Sequence, residues 1–201
     1  LHSTSRRQRQ MCIRDSYALA LNCGITFAGL KPASLFWLKD EHGEDIGYYT
    51  ALFSARGFRF VTLKRAEGRR LLYVFHRDSL EKLLADSENY ELLASLGYCD
   101  LSLRGALLKL KTRIASGKKF PHEVGVFLGY PSEDVRGFIK DVRGGRCLDC
   151  GYWKVYGCEK SRARLFERYN RCSRCIMSKL EQGRPLERIF NLNVSAAKIP
   201  S

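Results

Sequence analysis

Residues 57–77 read GFRFVTLKRAEGRRLLYVFHR, and this stretch decides the fold class. GFRFVTLKR (57–65) and RLLYVFHR (70–77) are both rich in β-branched and aromatic side chains. In the first run Phe58, Phe60 and Thr62 alternate with Arg59, Val61 and Leu63, the period-two pattern of a half-buried strand. The link Ala66-Glu67-Gly68-Arg69 supplies a Gly where a tight turn needs one. Two such runs around a short Gly-containing link predict a β-hairpin.

Upstream, KPASLFWLKD (31–40) holds a strand-like apolar run and EHGEDIGYY (41–49) reads as a polar turn. YALALNCGITFAGL (17–30) mixes small and apolar residues and predicts a helix or buried turn. Downstream the period changes to that of helices. Asp78 or Ser79 is placed to cap one helix with Leu80, Leu83 and Leu84 on a face, and Ser87 a second that stops at Gly97. Ser102 opens a third, whose Leu103, Leu107, Leu110 and Ile114 share a stripe up to Gly117. Residues 121–140 predict two short helices around Gly129-Tyr130-Pro131. A Gly/Arg-rich connection (141–150) leads to the predicted strand GYWKVYG (151–157) and a long helix over 159–181. That helix turns Leu165, Phe166, Tyr169, Cys172, Ile176 and Leu180 inward. The expected fold is α+β: a small antiparallel sheet, from the hairpin and the 151–157 strand, packed by several helices in a single main domain.

Length and composition fit that reading. The chain has 201 residues, 45% of them hydrophobic, enough for a core without disulfides. No window approaches the roughly 20 consecutive apolar residues of a membrane span, so no membrane association is expected. Residues 1–16, LHSTSRRQRQMCIRDS, are basic and polar, lack the apolar segment of a secretory leader and share no periodicity with the chain from residue 17 onward. They read as a non-native or disordered segment. The main domain is expected over 17–190, with a Cys-rich part at 141–182, and 191–201 reads as a tail.

Lys and Arg number 35 against 21 acids, for a net charge of +14. Arg6, Arg7, Arg9 and Arg14 account for only part of it. An excess of this size favours nucleic acid or another polyanion as partner.

Eight cysteines include Cys147-Leu-Asp-Cys150 and Cys172-Ser-Arg-Cys175, with 21 residues between the pairs. In a cytoplasmic chain two Cys-x-x-Cys pairs point to metal or redox chemistry before disulfides. The two-residue spacer lets both sulfurs turn toward one ion at about 2.3 Å, so Cys147, Cys150, Cys172 and Cys175 are the candidate ligands for zinc or iron. Arg146, Arg171 and Arg174 are placed to favour thiolates. Packing thiols are the alternative, because Cys172 falls on the apolar stripe of its helix. A thioredoxin-type site needs the motif to open a helix after a strand, and here the first pair precedes a strand.

Residues 121–140 also resemble a helix-turn-helix. Counting Pro121 as position one, Val124 and Gly125 fall at four and five, Leu128 and Gly129 at eight and nine, and Val135 and Phe138 at fifteen and eighteen. Ser132 would cap the second helix, and Arg136 and Lys140 would face phosphates. Glu133 and Asp134, read as exposed on its first turn, oppose that use. For catalysis the candidates are Cys23, which needs a base such as His76 or His122 nearby, and the His122-Glu123 pair at a helix start. Tyr152, Trp153 and Tyr156 read as core aromatics before they read as a base-stacking platform.

AGLKPASLF (28–36), FPHEVGVFLGYPSEDVRGFI (120–139) and GYWKVYG (151–157), the last followed by a helix and Cys172, occur in that order. Together they resemble the bacterial family known as domain of unknown function 3793, over residues 17 to about 190. The resemblance implies a cytosolic bacterial protein and carries no assigned activity. It matches Cys150 and Cys172 to family cysteines and offers no counterpart to Cys175. The leading reading is a metal-binding or thiol-bearing accessory protein. The alternatives are a nucleic-acid-binding regulator through 121–140 and an enzyme using Cys23 or His122 and Glu123.

Overall fold

The computed structural model describes residues 3–40, 43–117, 120–141 and 145–193, with side chains described outside 3–14 and 43–45. Among them are nine helices, a three-stranded antiparallel sheet and a two-stranded one, an α+β architecture. No helix among the described residues is long and apolar enough to cross a membrane. The chain divides into two compact units, one of residues 1–77 and 171–201, the other of residues 78–170.

In the first unit the hairpin forms as its sequence predicts. Strands β2 (Phe58–Ala66) and β3 (Arg69–His76) pair from Phe58↔His76 to Ala66↔Arg69. Glu67 and Gly68 both take positive φ, 52° and 67°, the backbone of a two-residue turn matched to strand twist. A bulge between Thr62 and Lys64 shifts the alternation, so Leu63 is buried. The third strand is β1 (Ala33–Lys39), which pairs with β3 and gives the order β1-β3-β2.

The structure corrects two expectations. The 151–157 segment does not join this sheet; only Lys154–Val155 is extended, and it pairs locally with Asp149–Cys150. The stretch read as a polar turn lies within helix α2 (Gly43–Ser54), apart from residues 41 and 42, which lie outside the described residues. Ile46, Tyr49, Leu52 and Phe53 bury one face of α2, a spacing hidden by the Gly, Glu and Asp residues before it.

Helix α1 (Ser3–Phe27) runs through most of the segment set aside as non-native or disordered; the side chains of 3–14 lie outside the described residues. Its Leu19, Ala20, Cys23 and Phe27 join Phe36, Leu38, Phe58, Leu72 and Val74 of the sheet and the buried face of α2 in one core. The chain's other end closes that core through Ile176, Leu186, Phe190 and Leu192. Phe27 stacks on Phe53 at 3.7 Å, and Phe190 meets both rings edge-on at 5.6 and 5.8 Å. Part of the expected tail is thus core; residues 194–201 lie outside the described residues.

The second unit is mainly helical: α3 (Arg77–Ala85), α4 (Ser87–Ser95), α5 (Leu103–Ser116), α6 (Val124–Phe127) and α7 (Ser132–Lys140). Strands β4 (Asp149–Cys150) and β5 (Lys154–Val155) follow, then the first part of helix α8 (Glu159–Glu181), which the long apolar stripe predicted. Helix α9 (Leu186–Ile189) belongs to the first unit. Ser102 caps α5 by accepting from the Gly105 N–H, as expected. The cap of α4 is Asp86 rather than Ser87, its carboxylate accepting from the Asn89 N–H. Both residue types accept from a helix start equally well, so sequence alone does not separate neighbours.

Candidate functional site

The β4–β5 hairpin presents the first Cys-x-x-Cys pair. The Leu148 N–H donates to the Val155 carbonyl at 2.7 Å and the Gly151 N–H to the Trp153 carbonyl at 3.1 Å, closing a tight knuckle. It brings the Cys147 and Cys150 sulfurs to 3.6 Å, with Cys150 exposed. A disulfide needs about 2.05 Å, so both are thiols. The sulfur–sulfur contact with Cys147 and, less, burial and the charge of Asp149 raise the Cys150 thiol above its ordinary pKa, against the opposing pull of Lys154. The sequence expectation that nearby arginines favour the thiolate is not met at Cys150: the cation that acts on it is Lys154, and the adjacent thiol outweighs that pull.

The second pair stands one turn apart on α8, with Cys172 half-buried and Cys175 exposed. Burial, then Cys175, pushes the Cys172 thiol up, with Lys179 opposing. Cys147 and Cys150 belong to the second unit, Cys172 and Cys175 to the first. Among the described residues, no three or more His, Cys, Asp or Glu side chains gather as a ready-made metal cage.

A pocket of about 560 Å³ lies within the second unit. Phe120, Pro121, Val124 and Val135 give it apolar walls, with Tyr130 and Trp153 stacked at 4.6 Å and the Phe138 ring at its edge. Every lining residue comes from 120–138 or 152–154, within two of the stretches that carry the family resemblance. The helix-turn-helix spacing is what shapes it. A Cβ on Gly125 would sit 2.9 Å from Val135 Cγ2 and 3.0 Å from Tyr130 Cδ2, so only glycine lets α6 approach α7 and Tyr130 this closely. Helix α6 has only four residues, too short for the first helix of a DNA-binding pair.

Sequence reasoning missed the residue that organises this region. Asp134 is not exposed on the first turn of α7; it is 1% exposed. Its Oδ1 accepts from the Tyr156 and Gly157 N–H groups, both at 2.8 Å. Its Oδ2 accepts from Trp153 Nε1 and Arg162 Nε, both at 2.9 Å. Burial alone would raise its pKa, but these hydrogen bonds outweigh it and hold the carboxyl below the usual carboxylate range. The available signal was the Asp at the third position of a helix together with Trp and Arg downstream, donors that a buried carboxylate requires. Ser132 does not cap α7: the helix begins at Ser132 after Pro131, and its hydroxyl donates to Glu88.

The remaining candidates divide between frame and surface. Glu123 is buried, paired with Arg113 Nε at 2.5 Å, and accepts from the Tyr98 hydroxyl at 3.2 Å. Burial first, then the charge of Glu123, raises the Tyr98 hydroxyl far above its ordinary pKa, so it remains a donor. His122, its neighbour in sequence, is exposed in the pocket wall, edge-on to Phe138 at 4.9 Å. Cys23 is fully buried in the first unit, and burial drives its thiol well above the ordinary value, with Lys31 and Ser34 opposing. Such a thiol packs as a small hydrophobe. Arg136 donates to the Glu88 carbonyl at 3.1 Å, while Lys140 is exposed. Glu133 pairs with Arg162.

A family model described as "Protein of unknown function (DUF3793)" matches residues 19–190. The chain belongs to this family. No curated protein and no solved structure matches it. Membership extends across both compact units, since the match runs from α1 to α9.

Proposed function

We propose that this member of the family is a thiol-based metal-binding protein, with Cys147 and Cys150 supplying two thiolates to zinc or iron. The observation that carries the reading is the 3.6 Å separation of the two sulfurs at the tip of the β4–β5 knuckle. Two ligands at about 2.3 Å from a tetrahedral ion stand roughly 3.8 Å apart, so the pair needs almost no rearrangement to close on one. The hairpin hydrogen bonds hold the backbone while the sulfurs stay accessible. Binding must displace protons from both thiols, and Cys150 holds its proton more tightly than an ordinary thiol. Loading should therefore strengthen as pH rises toward the thiol range and weaken below it.

The test is elemental analysis of protein purified without a metal-binding tag, with a free-thiol count before and after chelation. The expected result is near-stoichiometric zinc or iron, lost in Cys147→Ser/Cys150→Ser, and a lower melting temperature after chelation. Metal-free protein that melts identically with and without chelator overturns the reading. Cys172→Ser/Cys175→Ser, analysed in parallel, reports whether the α8 thiols also hold metal.

A further inference from the structure

We propose that the pocket between α6, α7 and the β4–β5 hairpin binds a planar aromatic carboxylate. Its volume, about 560 Å³, lies in the usual range for small-molecule sites. The walls favour a flat ring. The Trp153 indole is 8% exposed, stacked on Tyr130 and met by Phe166 at 85°, and its one N–H is given to Asp134, so what it offers a ligand is apolar ring edge and not its donor. Phe138, 38% exposed, and Phe120, 47% exposed, leave aromatic surface at the mouth that a ring would cover.

The charge of the ligand is set by the polar groups that remain available. Asp134 lines the pocket, but four donors already occupy its two oxygens, leaving little to attract a cationic ligand. The Tyr130 hydroxyl donates to the Tyr152 carbonyl at 3.4 Å. Lys154 differs: it is exposed, its ammonium lies 5.7 Å from the Phe138 ring centre, and no carboxylate pairs with it among the described residues. His122 stands on the same wall and adds a second nitrogen donor. An aromatic ring against Trp153 and Phe138, carrying one carboxylate toward Lys154, satisfies the apolar wall and the unpaired cation together. No cysteine lines this site, although Lys154 lies opposite Cys150 across the β4–β5 pair.

Calorimetric titration of the full chain with 2-naphthoate, and with its neutral counterpart 2-naphthalenemethanol, tests the assignment. The expected result is saturable 1:1 binding of naphthoate, tighter than that of the alcohol. Lys154→Met should weaken naphthoate about fivefold, the scale of an exposed ion pair, and leave the alcohol within about twofold. Phe138→Ala should weaken both. Both positions are exposed, and a thermal melt of each variant confirms that it is folded. No saturable binding of naphthoate, naphthoate binding unchanged by both substitutions, or a Lys154→Met effect equal for the two probes would each overturn the proposal. The titrations use metal-free protein, so their outcome and that of the metal analysis are read separately.

Discussion

Asp134 accepts from the backbone just after a strand, an indole and a guanidinium at once, so it joins α7, the segment after β5 and α8 through one side chain. Replacing it with Asn keeps the shape but removes the charge that Arg162 needs. Breaking a buried pair from one side costs about 3–5 kcal/mol, and Arg162 is itself only 13% exposed. Asp134→Asn should therefore lower unfolding free energy by about 3 kcal/mol at pH 7, read from urea denaturation. The pH dependence has a definite sign. A carboxyl whose folded pKa is depressed stabilises fully above its unfolded value and loses that contribution as pH falls through the folded one. Wild-type protein should thus lose stability as pH falls below the ordinary carboxylate range, where the variant's curve is flatter. Parallel curves would show that Asp134 does not carry the acid limb. At this scale residue type was legible but environment was not. Asp134 and Glu133 are adjacent and chemically alike, yet one is buried and the other lies at the surface, because burial depends on what the α8 and β5 residues bring to that face.

At the scale of elements, the approach of α6 to α7 rests on an absent side chain. Gly125→Ala would put a methyl group within 3.0 Å of both Val135 and Tyr130. We expect a destabilisation of about 1–3 kcal/mol, the usual range for overpacking, and a change in the near-ultraviolet circular dichroism of the Tyr130–Trp153 stack. An unchanged melting temperature would mean that the helices part without cost. The helix-turn-helix spacing was therefore legible as packing: Gly125 at the crossing and Val135 buried on α7 follow from it. Its use was not, because Phe138, an anchor by spacing, is exposed at a pocket mouth instead of covered. Strands show the same division. The hairpin was readable because turn and alternation lie within twenty-one residues; the partner of 151–157 was not, since pairing is decided by which strand edges meet.

Across the whole molecule, the first unit is completed from both ends of the chain. Phe190 closes on Phe27 and Phe53, and Arg56 Nη1 donates to the Phe190 carbonyl at 2.5 Å. Phe190→Ala should cost about 3 kcal/mol by urea denaturation, as for other buried phenylalanines. A loss under about 1 kcal/mol would show that the last segment is dispensable to the core. These contacts join residues more than 130 apart, so closure of this unit should show slower, long-range kinetics than the local helices of the second.

The sequence by itself determined the α+β class, the hairpin, the long helix with its inward stripe, the Cys-x-x-Cys spacing and the family. All of these depend on periods and intervals within a few turns of chain. Only the tertiary structure decided that Asp134 is buried, that Glu123 and His122 part company, that Phe190 and Leu192 are core, and that residues 120–138 and 152–154 enclose a pocket. Each depends on side chains far apart in sequence competing for the same volume and the same hydrogen-bond partners, and no local pattern records which of them meet.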